Sequence, residues 1–372
     1  MPAPRTLNPA ERLDWLRLIR SENVGPVTFY QLLSRFGSAE AALAALPEIA
    51  RRGGRARALT ICPRAIAERE MQQLHAAGGR FVAWGEPDYP AALAALDDAP
   101  PLISVKGDTK LFERNALAIV GARNASANGR RFARDIALQL GQQGLLIVSG
   151  LARGIDGAAH DGSLATGTVA VVAGGIDQVY PEENRDLHEQ IAERGVIVAE
   201  MPVGTEPQAR HFPRRNRIIS GCALGVMVVE AALRSGSLIT ARFALEQGRD
   251  VFAVPGSPLD PRCRGTNDLI RNGAILTETA DDIMRELQPR LSSTLGERKR
   301  EPFTPAESVI PSDSELTRAR ERLVELLSPT PVAVDELIRQ CQLSAALVVT
   351  ILLELELAGR LERHPGNQVS LL

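Results

Sequence analysis

The sequence has little lysine: Lys106, Lys110 and Lys299 are the three lysines among 43 basic residues, so its positive charge is almost all guanidinium. Arginine forks suit bidentate phosphate contacts and stacking on bases, although a GC-rich genome produces the same bias through codon use. Net charge is also lacking. A formal value of -2 at pH 7 gives no global attraction for a polyanion, so any anion site has to be a local gathering of cations. Cysteine is scarce, and Cys62, Cys222, Cys263 and Cys341 lie far apart, without the paired spacing of zinc and redox sites. No metal or cofactor is expected. Apolar runs are too short or too interrupted to span a bilayer, and the start Met-Pro-Ala-Pro-Arg lacks the apolar core of a secretory signal. The expectation is a cytoplasmic chain with no membrane contact.

With 372 residues, 44% of them hydrophobic, the chain can bury a full core and divide into a large domain with smaller ones. Residues 1–83 read as a small helical domain. Trp15, Leu16, Leu18 and Ile19 share a stripe, Asn23-Val24-Gly25-Pro26 turns the chain, and Val27 to Phe36 resumes the helix. The turn is similar to that of helix-hairpin-helix modules, whose backbone amides meet a DNA phosphate. Two helices joined by a glycine turn also need no ligand.

From Leu117 the pattern becomes apolar strand, glycine turn, helix, with strands at 117–120, 145–148, 169–173, 196–199, 224–229 and 250–254. Across 84–288 this predicts an α/β fold: an extended Rossmann-like, mostly parallel sheet with helices on both faces. Such a sheet offers its ligand site at the carboxyl ends of its strands. Residues 289–316 collect Pro, Ser, Thr and mixed charges and read as a linker. Three helical segments and a hairpin over 317–372 predict a winged-helix-like domain. Its third helix carries Glu354 and Glu356 where a groove-reading helix presents basic or amide groups. The tail is therefore expected to contact protein, or to pack against the main domain, rather than to read DNA.

The strand ends carry the candidate anion site. Gly121 lets the first strand turn beneath a ligand, with Arg123 at the rim. The next strand ends in Ser149-Gly150-Leu151-Ala152-Arg153-Gly154-Ile155-Asp156, and the third in Gly174-Gly175; together these predict an open floor of glycines and helix amides. Asp156 and His160 share a helical face, which suits either acid–base work or a contact that orients the turn. Residues 210–217, Arg-His-Phe-Pro-Arg-Arg-Asn-Arg, form the densest positive cluster. Arg214, Arg215, Asn216 and Arg217 would grip phosphates while Phe212 stacks on an unpaired base, unless the arginines pair with Glu182, Glu183 or Glu206. Ser235-Gly236-Ser237 opens a further helix and could hold one phosphate. The dinucleotide pattern of three spaced glycines and the Gly-Lys-Ser/Thr ending of a Walker loop are both absent, so neither a nicotinamide cofactor nor ATP hydrolysis is expected.

These motifs together resemble the DNA processing protein A family, also called Smf. The resemblance rests on Ile119-Val120-Gly121-Ala122-Arg123, on 149–156 with Ala159-His160, and on His211-Phe212-Pro213-Arg214-Arg215-Asn216-Arg217-Ile218-Ile219-Ser220-Gly221. It is carried further by Ser235-Gly236-Ser237 with Thr240-Ala241, Val251-Phe252-Ala253-Val254-Pro255-Gly256 and the 265–274 segment. It implies a protein that binds single-stranded DNA, forms a homodimer and helps load a RecA-type recombinase during natural transformation. It also places Leu269 and Ile270 near the subunit contact. The family carries a basic residue just before the Tyr-Pro pair, and here Gln178 replaces it. The competing class is a nucleotide phosphoribohydrolase-type enzyme on a related fold, which would need Arg153 and Glu230. A scaffold with only protein partners is a third class.

Overall fold

A computed structural model describes residues 6–55, 57–292, 313–364 and 366–372. These residues form two compact units, one built on the segment from Arg69 and the other on Leu7–Glu68 together with the C-terminal tail.

Helix α1 (Pro9–Ile19) begins where Asn8 and Glu11 cap each other, and α2 (Pro26–Phe36) begins on a proline and stops at Gly37 in the left-handed region, φ 75°. Helices α3 (Ala39–Arg52) and α4 (Arg64–Ala76) follow. The first unit then runs β1 (Arg80–Ala83), α5 (Ala91–Ala94), β2 (Leu102–Gly107), β3 (Ala116–Val120), α6 (Ala127–Gln142) and β4 (Leu146–Ser149). It continues with α7 (Ile155–Ser163), β5 (Thr168–Val172), α8 (Arg185–Arg194), β6 (Val196–Ala199), α9 (His211–Gly221) and β7 (Gly225–Val228). It ends with α10 (Gly236–Glu246), β8 (Asp250–Ala253), α11 (Arg264–Arg271), β9 (Ile275–Leu276) and α12 (Ala280–Ser292). The tail holds α13 (Asp313–Leu326), β10 (Val332–Ala333), α14 (Val334–Cys341), α15 (Ala345–Leu357), β11 (Leu361–His364) and β12 (Gln368–Leu371).

The large sheet has the order β1-β2-β6-β5-β4-β3-β7-β8-β9. It is parallel from β6 to β9, and antiparallel where β2 joins β1 and β6. The predicted strands are β3 to β8. Their side chains alternate between two buried faces, with Ala118, Val148, Val171 and Val228 in one apolar cluster and Ile119, Ile147, Met227 and Phe252 in the other. Burial on both sides is why these strands read as unbroken apolar runs.

The predicted domain limits shift. Residues 80–83 pair with 102–105 as β1 and β2, so the helical domain ends before Arg80 and not at residue 83; a four-residue strand leaves too short a pattern to read. Of the predicted linker, 289–292 finish α12, 313–316 open α13, and 293–312 lie outside the described residues.

The tail forms the predicted winged-helix arrangement, with a small sheet in the order β10-β12-β11. It is not a separate unit. Leu353 and Leu357 of α15 share an apolar core with Leu18, Phe29, Leu46 and Ile49 of α1 to α3. The third helix thus packs on the N-terminal helices, where the sequence suggested the main domain. Glu354 is buried and paired with Arg320, and Glu356 pairs with Arg363 at 2.7 Å. Among the described residues no single helix is long and apolar enough to cross a membrane.

Candidate functional site

The chain runs from β3 through β4, β5 and β6 to one side, then places β7 on the other side of β3. A crevice therefore belongs at the carboxyl ends of β3 and β7. It is closed from within. Glu230, at the end of β7, accepts hydrogen bonds from the Ser126 amide at 2.9 Å and the Ser126 hydroxyl at 2.6 Å. A carboxylate thereby occupies the amino end of α6, where a ligand phosphate would otherwise be favoured. A Cβ added at Gly129 would lie 2.6 Å from the same carboxylate.

A second internal anion fills the neighbouring turns. The buried Asp156 carboxylate lies beside the amides of Ala152, Gly150 and Gly121 and the guanidinium of Arg215, all of which favour its charged form. Burial raises the pKa of Asp156, opposed by Arg215 and those amides, and it lowers that of Arg215 to about 10, so the guanidinium stays charged at neutral pH. Arg215 donates to the Gly150 carbonyl, to the Val171 carbonyl at 2.6 Å, and to Asn216 Oδ1 at 3.2 Å. It fastens α9 to the ends of β4 and β5. His160 does not meet Asp156; its Nδ1 lies 2.8 Å from the Thr168 hydroxyl, and burial pushes its pKa down to about 3. An Asp–His acid–base pair is thus not assembled.

The expected open floor is largely filled by the protein itself. A Cβ added at Gly121, Gly150, Gly154, Gly174 or Gly175 would come within 2.2–2.6 Å of Ile155, Arg215, Ala122, Thr205 or Asp177. These glycines admit close protein packing, where a ligand backbone was expected. Gly236 alone of the expected set has open space beside it. Ser235 caps α10, its hydroxyl 2.8 Å from that of the buried Ser237, and Asn216 Nδ2 donates to the Gly236 carbonyl at 3.3 Å.

Three further expectations are corrected. Ser149 is fully buried and its hydroxyl donates to the Ile119 carbonyl at 2.6 Å, so it holds strand to strand. Arg217 is buried, donating to the Asp98 carbonyl at 2.7 Å and to the Glu200 carboxylate; it offers no fork to a phosphate. Arg215 is likewise internal. Pairing with acidic residues does occur in this cluster, where Arg217 meets Asp98 and Glu200; among the described residues none of its arginines pairs with Glu182, Glu183 or Glu206.

What stays outside is a rim. Arg123 is exposed, its guanidinium carbon 4.9 Å from the centre of the Phe212 ring, with Arg215 5.8 Å from the same ring. Arg214 is exposed, and neither it nor Arg123 forms an ion pair among the described residues. Arg153 is exposed and pairs with Glu183 at 2.7 Å, a contact of about 0–1 kcal/mol that a phosphate can displace. Gln178 donates to Asp177 at 2.7 Å. Gly150, Gly174, Gln178, Tyr180, Phe212 and Arg215 surround a recess of about 10 Å³, the room of about one water. Sequence reasoning assigns Tyr180 no role, although its ring lies 5.7 Å from that of Phe212. An exposed aromatic two residues beyond Gln178 was the available signal.

Comparison with known proteins agrees with this arrangement. A family model described as DNA recombination-mediator protein A matches residues 80–288, and two others match the flanks: a DprA-like N-terminal HHH domain over 9–72 and a DprA winged helix domain over 305–367. Protein Smf of Escherichia coli is 40% identical over 76% of this chain and 75% of its own length. DNA processing protein DprA of Bacillus subtilis is 46% identical over 54% of this chain and 69% of its own. Among solved structures, DNA processing protein A from Streptococcus pneumoniae superposes with a TM-score of 0.64 at 32% identity, covering 76% of this chain and 99% of that one. The Helicobacter pylori protein, whose structure describes its single-stranded DNA binding mode, gives 0.52 at 28% identity over 57% and 96%. With its central domain matched throughout and both flanking domains in the same order, this chain belongs to the DNA recombination-mediator protein A family.

Proposed function

We propose that this chain holds single-stranded DNA along the rim formed by Arg123, Phe212 and Arg214, without covalent chemistry, and helps load a RecA-type recombinase on it during natural transformation. The observation that carries this reading is the exposed Arg123 over the Phe212 ring, with Arg214 unpaired nearby. A cation and an aromatic face together suit a phosphate followed by an unpaired base. The Helicobacter pylori relative, described by its single-stranded DNA binding mode, points the same way. Arg153 and the open side of Gly236 extend the rim for further phosphates.

The enzymatic alternative is disfavoured by what its glutamate already does: Glu230 caps α6 through Ser126.

Binding is tested by titrating labelled unpaired and duplex oligonucleotides over a salt series; equal affinity for both would sink the single-strand reading. Loading is tested by the assembly rate of a RecA-type recombinase on coated single strands, and a rate unchanged by this protein removes that half. A cytoplasmic location and a two-fold dimer through α11 belong to the same proposal. Leu269 packs partly on the sheet's apolar cluster, and Ile270 is half-buried. Ile270→Glu therefore probes the dimer with less harm to the core than Leu269→Glu. Light scattering of Ile270→Glu is expected to show a monomer; an unchanged dimer would move the interface elsewhere.

A further inference from the structure

Tyr180 is 47% exposed, and it is the one aromatic among the exposed large hydrophobic side chains of the described residues. Soluble proteins leave single leucines outside without consequence, but a half-exposed ring packed at a tilt against a second ring leaves a surface suited to another flat group. The Tyr180 and Phe212 ring centres are 5.7 Å apart, tilted by 60°, and Arg123 lies 4.9 Å from the centre of Phe212. Both rings border the recess above Arg215, and Arg215 is held by the Gly150 and Val171 carbonyls. Phe212, whose ring centre is 5.8 Å from the fixed Arg215 guanidinium, thus has little side-chain freedom left for binding to restrict.

The geometry points to Tyr180 as a second stacking residue, which with Phe212 takes unpaired bases of a bound strand; this rests on the single-strand reading above. Its consequence is specificity. A phosphate contact is open to single and double strands alike, whereas the face of a base is available only when the base is unpaired and unstacked. Tyr180 therefore supports the preference for single strands, and Arg123 and Arg214 support affinity for any strand. Every base has a π-face, so the contact is tolerant of sequence.

The test uses the full chain and labelled single strands of equal length, one normal and one with a central abasic tract. Tyr180→Ala is expected to bind the normal strand about tenfold more weakly, with Tyr180→Phe restoring the loss and the salt slope unchanged, since every phosphate partner is still in place. The parent is expected to bind the abasic strand about a hundredfold more weakly than the normal one, since both rings lose their bases, and Tyr180→Ala to bind the abasic strand as the parent does. An equal loss on both strands would reveal a merely structural role and overturn the proposal. If Tyr180→Ala binds like the parent while Arg123→Ala is weakened, the stacking role fails and the rim survives. Parental binding by both variants removes the rim reading as well. Should Tyr180→Ala fail to fold, equal affinity of the parent for normal and abasic strands still overturns the proposal.

Discussion

Asp156 and His160 lie one turn apart on α7, and the Arg215 charge acts on them in opposite ways. It favours the charged Asp156 together with three backbone amides, whereas His160 is held neutral by burial and then by Arg215, with its pKa at about 3 against an ordinary 6.5. As pH falls, the unfolded chain takes up this proton first. Stability from His160 is therefore full above about pH 6.5 and declines toward pH 3, at up to about 1.4 kcal/mol per pH unit. Burial lowers His188 and His211 as well, so they act with the same sign. Between about pH 7.5 and about pH 5.5 the parent should lose about 1.4 kcal/mol more than His160→Asn, read by urea unfolding; equal losses would show that His160 is not protected from its proton. The residue scale is also where sequence reading reached its limit. Arg123 and Phe212 were recognisable because a strand end and an aromatic within a basic run each imply position. Arg214, Arg215 and Arg217 were not separable, since successive residues turn by about 100° around a helix and only the packed fold says which side is inside. Asp156 was legible as a cap, but the convergence of three amides on it was not, because those amides come from two different strand ends.

Among the elements, α15 shows how a familiar pattern acquires a different use. Its acidic residues were visible in the sequence and argued against groove reading; their ion pairs with Arg320 and Arg363 are internal to the tail. What the sequence did not disclose is that α3 covers this helix, because a contact across some three hundred residues leaves no periodicity to read. Two features record the closeness. A Cβ added at Gly53 would lie 1.9 Å from the Glu354 carbonyl oxygen. Asn23, in the hairpin turn that could have faced a phosphate, has a left-handed backbone, φ 58°, and its Nδ2 donates to the Leu357 carbonyl at 3.2 Å. The tail is thus poorly suited to simple deletion, which would strip cover from Leu18, Phe29 and Leu46. Gly53→Ala keeps a backbone conformation that alanine tolerates, φ -68°, so its effect reports the helix contact alone. It should cost about 1–3 kcal/mol and raise hydrogen exchange in α3 and α15 together. Faster exchange in α3 with α15 unchanged would contradict a shared core.

For the molecule as a whole, the near absence of net charge is the constraint that organises function. A formal charge of -2 leaves binding of a polyanion to whichever cations the fold leaves free. The parallel sheet was legible in its apolar runs, and with it the edge on which a site would lie. Its interior carboxylates, Glu230 and Asp156, then occupy the helix end and strand-end amides of that edge, so the surface proposed to bind lies outward, at Arg123, Arg214 and the aromatic pair. Arg217, buried and paired with Glu200, belongs to the scaffold, and its loss would act on stability by removing that partly buried ion pair. The decisive measurement is fluorescence anisotropy of a long unpaired oligonucleotide over a salt series, comparing the parent with a folded Arg123→Ala/Arg214→Ala double variant. The rim predicts weaker binding to all sequences and a salt slope shallower by about 1.4, because each single-strand phosphate that no longer meets an arginine lowers it by about 0.7; parental affinity at every salt concentration would contradict it.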